Sequence, residues 1–178
     1  MGRGLEAGCS LADSCPADAF EAFTRAHPDR AVISYVNTTA AVKALTDVVV
    51  TSTNAKKIVD QFPKDAKLIF GPDRNLGNYI NSVTGREMLL WDGACHVHEQ
   101  FSVEKLVKLK ADHPEAEVLA HPECKRPLLL MADFIGSTQA LLNYTINSDK
   151  KSFLVATESG IIHEMQKKNP DKEFIPVP

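Results

Sequence analysis

A cysteine and two histidines lie within four positions of one another, at Cys95, His96 and His98. Thiolate and imidazole groups are ligands of zinc, and thiolates also hold iron–sulfur clusters. A cysteine and a histidine three positions apart are weak evidence alone, because a buried thiol beside a solvent-facing histidine has the same pattern. The segment therefore suggests a metal site that needs support from elsewhere in the chain.

That support comes from an internal repeat with a period of 86 residues, which falls to 85 after one single-residue slip. Its first copy begins at Cys9 and its second at Cys95. Other pairs in this register are Tyr35 with His121, Asn37 with Glu123, and, after the slip, Ser52 with Ser137. A repeat this long is typical of a duplicated domain rather than of a solenoid unit. In a pseudo-symmetric duplication, equivalent residues such as Cys9 and Cys95 would meet at a shared axis.

The elements that position these residues are short apolar strands alternating with helical segments. This alternation predicts an α/β fold of repeated three-layer α/β/α domains, with parallel sheets covered on both faces. In such folds ligands bind beyond the carboxyl ends of the strands. The residues that follow predicted strands are Tyr35, Asn37, Ser52, Thr53, Asp73, Cys95, His98, His121, Glu123, Ser137, Thr138 and Glu158.

His121 and Glu123 are two positions apart on extended chain, so their side chains face the same way. An imidazole and a carboxylate in that arrangement can carry out acid–base catalysis, although a surface ion pair has the same spacing. Tyr35 and Asn37 hold the equivalent places in the first copy. The phenol could donate a proton and the amide could hold a carboxylate, unless Tyr35 only packs in the core.

Two Ser-Thr pairs, Ser52-Thr53 and Ser137-Thr138, each follow a strand and are predicted to open a helix. The N–H groups at a helix start favour phosphate or carboxylate, and a hydroxyl adds a donor. Serine and threonine are also preferred helix caps. Anion binding and simple capping both remain open for these pairs.

Composition narrows the class of protein. A net charge of −3 over 178 residues gives no reason to expect binding to nucleic acid or to an anionic membrane surface. No apolar run approaches the ~18 residues of a membrane span, and the first residues lack the apolar core of a signal peptide. We therefore expect a cytoplasmic protein. In that compartment its four cysteines are expected to be thiols or metal ligands rather than disulfides.

A set of motifs resembles one family. The segments are YVNTTAAVKALTD (35–47), TSTNA (51–55), GPDRNLG (71–77), WDGACHVHEQF (91–101), AHPEC (120–124), GSTQAL (136–141) and VATESGIIHEM (155–165). Together they resemble the quinolinate synthase family, across nearly the whole chain. The resemblance implies three similar α/β domains around a pseudo-threefold axis. Residues 1–9 would be a linker carrying the first cluster cysteine, 10–97 the second domain, and 98–178 a third domain that is incomplete at its C-terminus.

The resemblance implies an enzyme of de novo NAD biosynthesis that condenses iminoaspartate with dihydroxyacetone phosphate to quinolinate, releasing phosphate and water. It implies a [4Fe–4S] cluster whose open iron acts as a Lewis acid. L-aspartate oxidase, or another source of iminoaspartate, would be a partner.

The resemblance also assigns residue roles. Tyr35, His121 and Glu123 would be catalytic, and Cys9 and Cys95 would be cluster ligands. The substrate-binding residues would be Asn37, Ser52, His98, Ser137 and Thr138. One more period after Cys95 falls at position 181, outside the sequence, so a third cluster ligand is missing from this set. The missing ligand and the missing first domain argue against activity of the chain alone.

Two other functions fit the residues. A zinc-dependent hydrolase or lyase could use Cys95, His98 and His121, and it would bind zinc rather than iron. A non-catalytic module could bind sugar phosphates or carboxylates through the two Ser-Thr pairs, and it would not need Cys95.

Overall fold

The computed structural model describes residues 9–178. Within that range the strands are β1 Ala31–Tyr35, β2 Val48–Val50, β3 Leu68–Gly71, β4 Leu89–Leu90, β5 Glu117–Ala120, β6 Phe134–Ile135, β7 Ser152–Ala156 and β8 Glu173–Pro176. The helices are α1 Ser10–Asp13, α2 Ala17–Arg25, α3 Ala40–Lys43, α4 Ala55–Gln61, α5 Arg74–Thr84, α6 His96–Glu99, α7 Val103–Asp112, α8 Arg126–Leu129, α9 Thr138–Asn147 and α10 Gly160–Lys168.

The strands form two four-stranded sheets with the same connectivity. The first sheet has the order β2-β1-β3-β4 and the second has the order β6-β5-β7-β8. All six strand pairs are parallel. The prediction of an α/β fold with parallel sheets is confirmed.

One hydrogen bond recurs in both copies and shows how closely they correspond. In the first copy a carboxylate oxygen of Asp47 accepts the backbone N–H of Val32 at 2.8 Å. In the second copy Asp133 accepts the N–H of Val118, also at 2.8 Å. Each pair is separated by 15 residues and joins the start of the second strand to the first.

Each sheet has an apolar cluster on both faces, as β-branched and aromatic strands with alternating side chains require. In the first sheet, Ile33 and Phe70 pack with α4 and α5, while Val32 and Ile69 pack with α2 and α3. In the second sheet, Val118 and Leu154 pack against α7 and α8. Its other face, formed by Leu119, Phe153 and Val155, packs against α9 and α10.

Two short helices differ from the sequence expectation. The helices α1 and α6, each of four residues, begin directly after Cys9 and Cys95. Neither is predicted from the sequence. Leu11 of α1 is fully buried in the first core, so this segment is part of the fold.

The sequence predicts that Ser52-Thr53 opens a helix, but the helix begins after these two residues. The helix α4 begins at Ala55, and Asn54 is its N-cap residue. The side-chain oxygen of Asn54 instead accepts the backbone N–H of Thr51, which closes a turn around Ser52 and Thr53. Among residues 9–178, no helix combines the length and the apolar character needed to cross a membrane.

Candidate functional site

The centre of the candidate site is a buried group of three side chains at the strand ends. Potential ligand atoms of Cys95, His98 and Glu123 all lie within 4.8 Å of one another. His98 and Glu123 are buried and Cys95 is half-buried. Glu123 follows β5, whereas Cys95 and His98 follow β4 of the other sheet. The site therefore forms where the carboxyl ends of the two sheets meet.

His98 is the most constrained member of this group. Its Nδ1 lies 3.1 Å from a carboxylate oxygen of Glu123, and its Nε2 lies 3.4 Å from the hydroxyl of Thr157. The Nδ1 contact is a close charge pair, but it is not aligned as a hydrogen bond, so this buried nitrogen lacks a hydrogen-bond partner. Burial opposes charge on the ring, but Cys95 and Glu123 outweigh it and raise the pKa of His98 to about 9.

His121 has the opposite protonation state. Its ring stacks on that of His98, with centroids 4.7 Å apart. Burial lowers the pKa of His121 to about 4, so the imidazole is neutral at pH 7. Its Nδ1 accepts the backbone N–H of Glu123 at 3.3 Å, which leaves the ring hydrogen on Nε2. The two stacked histidines are therefore an imidazolium and a neutral donor side by side.

Glu123 holds the site together electrostatically. Burial favours its neutral form, but the charged His98 and the hydrogen bond from Tyr35 keep the pKa of Glu123 below its usual value. Tyr35 reaches this carboxylate from the end of β1, in the first copy. Burial and the neighbouring Glu123 raise the pKa of the Tyr35 phenol, so it stays protonated, while Ser52 acts in the other direction.

Asp73 positions Cys95. It is fully buried at the end of β3, and one carboxylate oxygen accepts the backbone N–H of Cys95 at 2.6 Å. The other oxygen accepts the N–H of Leu76 at 2.9 Å and so caps α5. Burial raises the pKa of Asp73 to about 6, even though these two N–H groups favour the charged form.

The two repeat-equivalent cysteines lie on neighbouring segments. Cys9 is the N-cap residue of α1 and Cys95 is the N-cap residue of α6. The backbone N–H of His96 donates to the hydroxyl of Ser10 at 3.4 Å, so the residues directly after the two cysteines are in contact. The duplication thus brings these equivalent positions together. Cys9 is exposed, whereas Cys15 and Cys124 are buried in the apolar clusters.

The remaining predicted residues lie around this centre. Ser52 favours the ionised form of the Tyr35 phenol and so lowers its pKa, against the larger effect of burial. Asn37 follows β1 and is exposed. The Ser137 hydroxyl is the N-cap of α9 and accepts the N–H of Ala140 at 3.3 Å, so the capping interpretation holds for this serine. Thr138 is the first residue of that helix, beyond β6, the neighbour of β5.

Two residues of the site were not assigned a role from sequence. Asp73 was recognised only as following a strand, and its capping contact to Cys95 depends on tertiary structure. Thr157 is buried and contacts His98, and it was overlooked in favour of Glu158. The strand β7 ends at Ala156, so the same strand-end rule pointed to Thr157 one residue earlier.

The arrangement suits two kinds of chemistry. The sulfur, nitrogen and carboxylate donors of Cys95, His98 and Glu123 can bind a transition metal. The neutral His121, the protonated Tyr35 and the ionised Glu123 can donate or accept protons within one buried space. Both belong to an enzyme active site more readily than to a structural core.

Comparison with known proteins also indicates an enzyme. Residues 3–178 match the family model described as NadA, quinolinate synthetase A protein. The chain is 60% identical over 174 residues to proteins named quinolinate synthase from a Synechococcus strain and from Chloroherpeton thalassium. A Synechocystis protein of the same name is also 60% identical. Each alignment covers 98% of this chain and 54–55% of the relative, so the chain spans about half the length of these curated relatives.

Proposed function

Because the chain belongs to the quinolinate synthetase A protein family, we propose that it carries part of the active site of a quinolinate synthase of de novo NAD biosynthesis. The proposed reaction condenses iminoaspartate with dihydroxyacetone phosphate to quinolinate and releases phosphate and water. The observation that carries the proposal is the buried group of Tyr35, His98, His121 and Glu123 beside Cys95. L-aspartate oxidase, or another enzyme that makes iminoaspartate, is the proposed source of the first substrate.

A [4Fe–4S] cluster is the proposed cofactor, with Cys9 and Cys95 as two of its ligands. The contact between Ser10 and His96 supports this pairing, because it brings the two cysteine-bearing helix starts together. The exposure of Cys9 and the partial exposure of Cys95 leave both thiols accessible. When bound, such a cluster with one open iron supplies a Lewis acid that polarises a substrate oxygen.

The side chains of this chain supply the proton transfers. A condensation that loses water must protonate a leaving oxygen and remove a proton from carbon. The protonated phenol of Tyr35 and the Nε2–H of His121 are donors, and the ionised Glu123 is the acceptor that links them. The positive charge on His98 keeps that carboxylate ionised inside a buried site.

Substrate anions are proposed to bind at the rim. Ser137 uses its oxygen to cap α9, so its hydroxyl hydrogen can still donate to a ligand. Thr138 follows at the positive end of the same ten-residue helix. Ser52, beside Tyr35, and the exposed Asn37 offer further donors on the first copy. These four residues are proposed to hold the carboxylate and phosphate groups of the substrates.

The test is a metal analysis of protein purified without oxygen and reconstituted with iron and sulfide. Iron and sulfide bound in equal amounts, and lost in Cys9→Ser and Cys95→Ser, is the expected result. Cys15→Ala is the matched control, because this thiol is buried in the apolar cluster formed with α2 and α3. Quinolinate formation is then measured for the chain and for a form extended past Pro178.

A divalent metal has its own structural support, because Cys95, His98 and Glu123 already form a three-ligand group. Binding of one zinc ion without any iron, lost in His98→Ala, would overturn the cluster and favour a zinc-dependent hydrolase or lyase. Binding of neither metal by the chain and by its extended form would also contradict the proposal.

A further inference from the structure

Trp91 opens the segment that also carries Cys95, and it lies four positions before that cysteine. Its indole Nε1–H donates to the backbone carbonyl of Ser14 at 3.0 Å, across 77 positions of sequence. Ser14 ends α1, the helix whose N-cap residue is Cys9. One hydrogen bond therefore joins the chain just before one proposed cluster cysteine to the helix that starts at the other.

The helix α1 is attached along its length. At its start the hydroxyl of Ser10 accepts the backbone N–H of His96 at 3.4 Å, in an exposed contact. In its middle Leu11 is 1% exposed and packs in the first core cluster, against which Cys95 also packs. At its end Ser14 accepts the indole N–H. Since the bond at Ser10 is long and exposed, the shorter bond at Ser14 is the stronger polar restraint on this helix.

Gly93 allows the loop before Cys95 to approach the end of α1 this closely. A Cβ atom at Gly93 would lie 2.6 Å from the Ser14 hydroxyl oxygen, 2.9 Å from Cδ1 of Trp91 and 3.0 Å from the Ser14 carbonyl oxygen. These separations are shorter than the ~3.5 Å at which packed atoms attract one another. A larger residue would therefore force the loop and the helix apart.

Aromatic packing orients the indole for this hydrogen bond. The Trp91 ring makes edge contacts with Phe20 and Phe23 of α2, with the ring centroids 5.4 Å apart in both pairs. A ring held by two aromatic neighbours loses little further conformational entropy when it donates a hydrogen bond. The donor to Ser14 is thus a side chain whose orientation is already fixed.

The second copy shows that the fold does not need a tryptophan at this position. Trp91 and Val177 each follow the last strand of their copy. The backbone N–H of Trp91 donates to the carbonyl of Phe70, and that of Val177 donates in the same way to Val155. Val177 is 3% exposed and packs in the core, with no side-chain donor. The indole donor of the first copy therefore requires an explanation other than the fold.

We propose that Trp91 is a positioning residue for the two proposed cluster ligands, Cys9 and Cys95. Its indole N–H, together with the close approach at Gly93, holds the start of α1 at a fixed distance from the turn that carries Cys95. Ligands that are fixed before they bind a metal lose less conformational entropy on binding it. The inference rests on the proposed function, because the cluster gives the pair of thiols a purpose, but the restraint can be measured without a cluster.

The test measures the separation of Cys9 and Cys95 in metal-free protein. Nitroxide labels are attached through disulfides to these two thiols, while Cys15 and Cys124 are buried and stay unlabelled in the folded chain. Pulsed electron paramagnetic resonance then gives the distribution of label separations. The expected result is one narrow distribution in the parent. Trp91→Phe keeps an aromatic ring but has no N–H, so it should lose that narrow distribution in favour of a broad one.

Tyr144→Phe is the matched control. It also removes one aromatic donor, the Tyr144 hydroxyl, which donates to Glu117 at 2.8 Å in the second copy. The distribution of label separations should be unchanged in this variant. Gly93→Ala should lengthen the mean separation, because the added Cβ pushes the end of α1 away from the loop. Circular dichroism identifies the variants that are folded before they are labelled.

A measurement on the unsubstituted chain decides the matter if a variant fails to fold. Trp91 is the only tryptophan, so nitrogen-edited NMR spectra contain a single indole N–H signal. Because this N–H is hydrogen-bonded and partly buried, its exchange with water should be much slower than that of free indole. Exchange as fast as that of free indole would overturn the proposal. A broad label distribution in the parent, an unchanged one in folded Trp91→Phe, or an equal change in Tyr144→Phe would also overturn it.

The proposed function can fail separately from this inference. Parent protein that shows the narrow label distribution but binds no iron or sulfide would contradict the cluster and leave the restraint on the two thiols intact. If both hold, folded Trp91→Phe should bind less iron and sulfide than the parent in the same reconstitution. Equal loading would contradict the positioning role of Trp91 and leave the cluster intact.

Discussion

At the scale of single residues, Glu123 has the largest influence on the candidate site. Its carboxylate is 3.1 Å from His98 and 3.9 Å from His121, and it also acts on Tyr35. The protonation states of His98, His121 and Tyr35 follow from this one buried charge and from the burial of each side chain. Removal of the charge should therefore change its neighbours in a predictable direction.

Glu123→Gln should lower the pKa of His98 from about 9 in metal-free protein, because burial then acts on the ring with less opposition. The raised pKa of His98 stabilises the fold fully below pH ~6.5, and that contribution is lost as the pH rises through about 9. The stability advantage of the parent over the variant should thus shrink over this range. Proton NMR titration and urea unfolding measure the two effects. An unchanged His98 titration would contradict the argument, and the exposed His163 should give the same signals in both proteins.

The four thiols should fall into two reactivity classes in metal-free protein. Cys9 is exposed and Cys95 half-buried, so both should react readily with a chromogenic aromatic disulfide. Burial raises the pKa of Cys15 to about 12 and also raises that of Cys124, so both should react only after unfolding. Cys9→Ser should remove one fast thiol. Fast reaction of Cys124 would show that the second core is more open than the structure indicates.

At the scale of elements, the functional side chains follow the carboxyl ends of the strands. Capping contacts at the helix ends position the neighbouring segments. Asp73 and Ser137 each cap the helix that follows their strand. At the other edge of the sheets, Arg86 donates to the carbonyls of Phe62 and Pro63, directly after α4. Lys172 donates to the carbonyls of Thr145 and Ser148 at the end of α9. Gly85 ends α5 with φ of 67°, a conformation that side chains with a Cβ rarely adopt. These capping contacts fix where the loops begin at both ends of the parallel strands.

Arg86→Ala should lower the free energy of unfolding by about 2 kcal/mol, because two part-buried carbonyls lose a charged donor. Arg86→Lys should retain most of that stability, since a lysine performs the same task at position 172. Urea denaturation followed by circular dichroism measures the difference. A lysine variant as unstable as the alanine variant would show that the guanidinium contributes more than capping.

At the scale of the whole molecule, two similar units share one site. Tyr35, Ser52 and Asp73 come from the first copy, and Cys95, His98, His121, Glu123 and Thr157 come from the second. The two copies also share an apolar contact, because Tyr79 of α5 packs against the main cluster of each. The site depends on the packing of the copies as well as on the fold of each.

Tyr79→Ala should uncouple the two copies. Trp91 is the only tryptophan and belongs to the first copy, so its fluorescence reports that copy, whereas circular dichroism reports both. The two unfolding transitions should coincide in the parent and separate in the variant. Tyr144→Ala, in the second copy, should shift the transitions without separating them. Coincident transitions in Tyr79→Ala would contradict this role.

Much of the fold could be predicted because its signals are local. The strands are short, apolar runs bounded by turn residues, and the main helices have clear periods, so both sheets were identified in chain order. The duplication was also visible, because Cys9, Tyr35 and Ser52 correspond to Cys95, His121 and Ser137 at a nearly constant spacing. The matching contacts of Asp47 and Asp133 agree with it. The short helices α1 and α6 and the exact start of α4 were missed, since these depend on single hydrogen bonds rather than on a pattern.

The sequence by itself determined the class of fold, the repeat and the set of residues at the strand ends, since these follow from hydrophobic periodicity and from the family motifs. Only the tertiary structure decided which of these residues meet. Tyr35 reaches Glu123 and Asp73 holds Cys95, whereas Asn37 remains exposed. Thr157, which the sequence analysis overlooked, contacts His98. The protonation states of His98, His121 and Tyr35 were likewise decided there. The physical reason is that burial and charge pairing depend on contacts between residues far apart in the chain, which no local pattern records.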